Sequence, residues 1–215
     1  MRTKHQRKIL LVFICLLLIL SGCKRNYEKG KALSAEGTTA FNSGNASKAI
    51  EKLEEALEAG LPDEDLADVY NMIGLSYADL QDYEKALTNY QSALKADPKD
   101  FRVMTNMGIS YRLSRQYEKA EESYRNALAV NPDYPEAHSS LGTLYIIIEK
   151  PAEAIPCFER ALEIKPTLAV THGNLALAYA MVGRFEDAEA SITRAEELGY
   201  RNAADIRSRI NALKK

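Results

Sequence analysis

The sequence predicts an all-α chain of stacked helix pairs, and three observations carry that expectation. One set of apolar and small positions recurs every 34 residues from Tyr70 to Tyr179. Within each period the positions fall at i, i+3, i+4 and i+7, which is one face of a helix. Pro98, Pro132 and Pro166 close three successive periods at the same place, where proline stops a helix and sets a turn.

The chain opens on a different pattern. Residues 1–8 carry four Lys/Arg and no acid, residues 9–20 are apolar throughout, and Ser21-Gly22 are small. This is the layout of a secretory signal. Twelve apolar residues span about 18 Å as a helix, short of the roughly 30 Å of a bilayer core. The end of the run, Leu20-Ser21-Gly22-Cys23, resembles the lipobox of bacterial lipoproteins. The resemblance implies removal of residues 1–22, a diacylglyceryl thioether on Cys23 and usually a further acyl chain, such as palmitate, on its new amino group. Two or more chains make a stable anchor where one is marginal. Residues 23–29 then read as the lipidated cysteine and a short tether. Cys15 is discarded, and Cys157 is left without an internal partner, so it is expected to be buried or inert.

In the body of the chain the first half of each period carries Tyr70, Ile73, Gly74 and Tyr77. These become Met104, Met107, Gly108 and Tyr111, then His138, Leu141, Gly142 and Tyr145, then His172, Leu175, Ala176 and Tyr179. The second half carries Ala86, Tyr90 and Ala93, then Ala120, Tyr124 and Ala127, then Ala154, Phe158 and Ala161, then Ala188, Ile192 and Ala195, with Tyr200 where proline is expected. A weaker unit with Gly37, Ala49, Leu53 and Ala56 comes before them. The units fall at about 30–63, 67–100, 101–134, 135–168 and 169–202, with a last helix at 203–215.

These positions and their spacing resemble the tetratricopeptide repeat. The resemblance implies a right-handed α–α superhelix of about five helix pairs with a capping helix, and a concave face that binds peptides or extended partner segments. Glycine costs about 1 kcal/mol in a helix relative to alanine, so Gly74, Gly108 and Gly142 need a reason. Close approach of the paired helix, with Ala86 and Ala93 and their equivalents opposite, supplies one. The tyrosines are expected to fill the space between units. Ala204, Ile206, Ile210 and Leu213 are expected to cover the open face of the fifth unit. Pro156 falls inside a predicted helix and is expected to be tolerated on the outer surface.

Several chemistries are set aside. A net charge of −2 and a pI near 6.0 argue against nucleic-acid binding. Three cysteines are too few for a disulfide framework. His138 and His172 occupy a packing slot with no acid or cysteine at ligand spacing, so no metal is expected. The acids Glu51, Glu54, Glu55, Glu58, Asp63, Glu64, Asp65 and Asp68 read as solvated helix faces. With no phosphate-cradling loop and no nucleophile beside a base, the chain is not read as an enzyme, and no cofactor is expected.

Function is therefore sought in the groove. The first helices are expected to present Asn71 and Leu75, then Arg102, Thr105, Ile109 and Arg112, then Ser139, Thr143 and Ile146, and last Leu177. Ile109, Thr143, Ile146 and Leu177 form an apolar middle. Asn106 and Asn174 match the asparagine of a carboxylate clamp, but Asp68, Glu136, Ser140 and Val170 stand in its basic slots and Arg102 alone is basic. The lining suits an apolar helix or extended segment better. The reading is a scaffold or adaptor of the bacterial cell envelope, lipid-anchored through Cys23 and facing the periplasm. In outline it resembles lipoproteins of this repeat that assist outer-membrane assembly, pilus secretin assembly or peptidoglycan-enzyme recruitment. Lys24 in place of aspartate mildly favours the outer membrane, in an organism that has one. The alternatives are a self-associating structural component and an accessory regulator of an envelope hydrolase.

Overall fold

The computed structural model describes residues 26–214. The signal segment and Cys23 lie outside the described residues. Among the described residues there are eleven helices and no strand. They fall into two compact units that meet in sequence at Pro98 and Lys99. The first holds α1 (26–42), α2 (Ala46–Ala59), α3 (Asp63–Asp79) and α4 (Tyr83–Ala96). The second holds α5 (Phe101–Leu113), α6 (Tyr117–Val130), α7 (Pro135–Ile147), α8 (Pro151–Ile164), α9 (Ala169–Met181), α10 (Phe185–Glu197) and α11 (Ala203–Leu213). Residues 26–29, the end of the expected tether, form the first turn of α1.

Local chemistry sets the helix ends. Asn45 and Asp82 accept from the amides of Lys48 and Lys85, and Asp100 accepts from those of Arg102 and Val103, each capping the helix that follows. Pro135 and Pro151 start α7 and α8, where a missing N–H costs nothing. The turn inside each pair is made the same way throughout. Gln81, Arg115 and Glu149 adopt left-handed φ values of 62°, 61° and 59°, and Gly183 takes the equivalent place at 81°. The next amide then returns to the carbonyl of Tyr77, Tyr111, Tyr145 or Tyr179, at 2.8–2.9 Å. That bond satisfies a carbonyl which the end of the helix leaves open.

The glycines do mark close approach, but a ring makes it rather than the alanines. A Cβ on Gly74 would lie 2.5 Å from the ring of Tyr90, one on Gly108 2.5 Å from Tyr124, and one on Gly142 2.7 Å from Phe158. Tyr90, Tyr124 and Phe158 are at most 1% exposed, and Ala86, Ala93, Ala120 and Ala127 are fully buried around them. The repeat tyrosines link neighbouring pairs, as expected. Tyr77 donates to Glu54 of α2 at 3.2 Å, Tyr145 to Glu121 of α6 at 2.8 Å and Tyr179 to Glu159 of α8 at 2.6 Å. Burial and these carboxylates push the Tyr145 and Tyr179 hydroxyls up to about 12.

The second unit ends differently. Helix α11 packs on α9 and α10, and its buried residues are Ala203, Ile206 and Ile210. Ala204 and Leu213, which were expected to help cover the last repeat, face outward. Arg207 ties α11 to α10 through Glu189 and Glu196, and Lys214 adds a second bond to Glu189. Pro156 lies exposed in α8, which continues to Ile164.

Candidate functional site

In the second unit α7 packs against both α5 and α9, so these three first helices form one face. Four of the predicted groove residues remain accessible there without an ion pair: Ile109 and Arg112 on α5, and Thr143 and Ile146 on α7, are half-buried. Ser139 is half-buried too, but its hydroxyl is bonded to that of Thr171 at 2.9 Å. Thr143 accepts from the Asn174 amide at 3.2 Å. Much of the polar lining therefore ties α7 to α9.

Two predicted groove residues are not available. Thr105 is 2% exposed, and its hydroxyl bonds back to the Phe101 carbonyl at 2.8 Å. Leu177 is 5% exposed and joins Ile206 and Ile210 of α11 in one buried cluster. Its slot is the one held by Ile109 and Thr143, but the capping helix has closed it. The Tyr200 ring fills the same end of the face, 2.5 Å from where a Cβ on Gly173 would stand. Arg102 is exposed and grips Asp100 with two bonds of 3.1 and 2.7 Å, which steadies the cap of α5. Burial pushes the Asp100 carboxyl up. The Arg102 guanidinium and the amides of Val103 and Arg102 outweigh that, and it stays below the ordinary aspartate range.

A row of site residues escaped the sequence reading. Leu113 and Ile147 are 46% and 41% exposed, and Met181 in the same slot is half-buried. Each lies four residues beyond Ile109, Thr143 or Leu177, so it shares their helix face. The signal was there in the sequence, as a further apolar position at the 34-residue spacing.

Arg112 stands out electrostatically. Its guanidinium sits beside the Tyr124 hydroxyl, and its Nε and that hydroxyl are both buried with no well-aligned hydrogen bond. No carboxylate pairs with it among the described residues.

In the first unit Asn71 and Leu75 lie half-buried on α3. That unit has its own shallow cleft between α1 and α3, floored by Val69 and Met72 and flanked by Lys31, Thr38, Asp65 and Asp68. The acids expected on solvated faces have local partners or favourable places. Lys52 bridges Glu51 and Glu55, and Asp63, Glu64 and Asp65 sit in the first turn of α3, where the helix dipole favours them.

The other candidate chemistries resolve into packing. His138 and His172 each donate from Nε2 to the carbonyl of the preceding proline, Pro132 at 2.8 Å and Pro166 at 3.0 Å. No group of three or more His, Cys, Asp or Glu side chains suited to a metal ion occurs among the described residues. Burial pushes the Cys157 thiol up to about 11, so it stays protonated at neutral pH. No helix among the described residues is long and apolar enough to cross a membrane.

Comparison with known proteins agrees with this architecture. Tetratricopeptide-repeat models match residues 67–100, 100–167 and 157–190. The chain is a tetratricopeptide-repeat protein, of a class that serves as protein-interaction scaffolds; the matched models describe a repeat, not an enzyme. Among solved structures, PilF of Pseudomonas aeruginosa aligns with a TM-score of 0.75 at 21% identity, covering 87% of this chain and 85% of that one. MamA of Desulfovibrio magneticus aligns at 0.67 and 22%, over 79% and 94%. A thermophilic protein of this repeat from Thermus thermophilus aligns at 0.66 and 20%, over 86% and 98%. At these identities the likeness is one of fold. A search of curated proteins finds no match by sequence.

Proposed function

We propose that the chain is a lipid-anchored adaptor of the bacterial cell envelope that holds a segment of a partner protein along the α5–α7 face. One observation supports the binding reading most. On that face Ile109, Leu113, Ile146 and Ile147 keep apolar surface open to solvent, while the polar side chains between α7 and α9 are bonded to each other. A rigid strip of this kind presents anchors at helical spacing to an apolar segment. The anchor reading rests on residues 1–23 alone. Cys23 precedes the first described residue of α1 by three positions, so a lipid there would hold the first unit close to the bilayer.

The test is a pull-down from detergent-solubilised envelopes with the full-length protein, compared with an Ile109→Glu, Ile146→Glu double variant of equal melting temperature. One envelope protein captured by the first and lost by the second is the expected result. Equal captures would overturn the groove reading. For the anchor, Cys23→Ala should leave an uncleaved precursor without acyl label, and normal labelling of that variant would refute lipidation.

A further inference from the structure

We infer that the segment bound on the α5–α7 face carries an aspartate or glutamate among its apolar side chains, and that Arg112 receives it. This rests on the groove reading above and deepens it.

Most arginines of this unit are paired. Arg102, Arg125, Arg160, Arg184, Arg194 and Arg207 each hold a carboxylate within 2.9 Å. Arg115, Arg201 and Arg209 are exposed, where water solvates a guanidinium at little cost. Arg112 is the one arginine among the described residues that is half-buried and lacks a carboxylate. Its Nε is shut away from solvent, with no well-aligned hydrogen bond and only the Tyr124 hydroxyl beside the guanidinium. A buried donor left unmade costs free energy, more so on a charged group. The other half-buried arginine, Arg207, is paired with Glu189 and Glu196, so an unpaired one on the binding face fits a carboxylate that arrives with the partner.

The neighbourhood fixes both position and partner chemistry. Tyr124 is fully buried, its ring held against Gly108, and its hydroxyl ends beside the Arg112 guanidinium without another partner. It is a positioning residue, one that limits where the guanidinium can lie. Ile109 and Leu113 lie on the same helix, and α7, which packs on α5, carries Ile146 and Ile147. The slot equivalent to Arg112 is isoleucine on α7 and buried Ala180 on α9. The face therefore offers a single guanidinium in an apolar strip. A purely apolar segment would bury that charge unpaired, and a basic one would meet repulsion. A segment with one acid in register would gain charge-assisted, bidentate hydrogen bonds in a partly dry site.

Selection from a random peptide library displayed on phage, on the full-length protein held in mild detergent, tests this. Peptides enriched on the wild type should combine apolar residues with Asp or Glu. The preference for acid over the matching amide should be about tenfold in measured affinity, partly kept by Arg112→Lys, lost by Arg112→Gln and turned toward Lys or Arg by Arg112→Glu. Enrichment of apolar peptides with no acid preference, still abolished by Ile146→Glu, would overturn the Arg112 inference and leave the groove reading standing. Selection indifferent to Ile146→Glu, or no enrichment at all, would overturn both. If Arg112→Gln instead weakens binding to phosphatidylglycerol vesicles and leaves peptide selection unchanged, the anion is a lipid phosphate and the inference fails.

Discussion

The pairs α7–α8 and α9–α10 are successive copies of one 34-residue pattern in one compact unit, yet they end up with different surfaces. In the first, Gly142 makes room for Phe158. In the second, the same two slots hold Ala176 and Ile192, both fully buried, so a methyl on one side is matched by a smaller side chain on the other. Glycine reappears three positions earlier, as Gly173, where it takes the Tyr200 ring. On the binding face, α7 leaves Thr143 and Ile146 accessible while α9 has Leu177 and Ala180 buried. The repeat pattern specifies how a pair packs within itself. What lies next along the array decides whether its face is a binding surface or a core.

Removing the neighbour should have the largest effect. Deleting residues 203–215 uncovers the face on which Ile206 and Ile210 pack. Burial of an isoleucine side chain contributes about 1.5–3 kcal/mol, so the loss of two should be on the order of 3–6 kcal/mol. Urea unfolding should show it, with aggregation as the exposed face of α9 finds other partners. An unchanged melting temperature and a monodisperse sample would show that α11 is not what closes the last repeat.

Exchanging the matched pairs is the next sharpest probe. Gly142→Ala places a Cβ 2.7 Å from the Phe158 ring. Overpacking of this kind costs about 1–3 kcal/mol. Adding Phe158→Ile, which reproduces the α9–α10 solution, should recover part of that loss. A double-mutant cycle then reads the coupling directly, and strictly additive losses would refute the ring-on-glycine reading.

The turns give a smaller contrast. Glu149 and Gly183 hold the same left-handed place, at φ 59° and 81°. A side chain there costs about 1–2 kcal/mol, partly offset by the freedom glycine loses on folding. Glu149→Gly should therefore stabilise by about 0.5–1 kcal/mol, and Gly183→Ala should destabilise by a similar amount. Shifts of the same sign in thermal unfolding would contradict this.

Acid should loosen the capped end, and weakly. Lys214 and Arg207 hold the Glu189 carboxyl below its usual range, and Arg207 does the same for Glu196. A depressed carboxyl contributes stability above its unfolded pKa of about 4.3 and loses it as pH falls through the folded value. These are surface pairs and small in effect. Arg207→Gln should lower the melting temperature slightly at pH 7 and have no effect near pH 3. A difference that persists in acid would point to packing of the arginine stem instead.

Most of the helix pairing was legible in the sequence, because apolar spacing reports directly on which face a helix buries. The link from Tyr145 and Tyr179 to the preceding pair was legible for the same reason. The partner of each glycine was not: Phe158 and Ala154 are both on the facing side of α8, and spacing alone does not say which of them arrives at Gly142. Tyr200 was visible as a break in the proline pattern, but its seat on Gly173 is a contact that no period encodes. Leu177 was misplaced because its own helix repeats faithfully while its neighbour does not. Leu113 and Ile147 were missed although their spacing was plain. They sit at the last turn of their helices, where an apolar residue reads as the end of a core stripe rather than as exposed surface. The meeting of Arg112 with Tyr124 joins two helices, and sequence spacing does not reach that far.

The most direct measurement is site-specific photocrosslinking in living cells. Ile147 on the α5–α7 face and Val130 at the end of α6 are equally exposed, at 41% each. Each would be replaced in turn by a photoreactive amino acid. If the face binds a partner segment, position 147 should give a discrete adduct with one envelope protein and position 130 should give none. An adduct at 130 and not at 147, or none at either, would contradict a binding surface on that face.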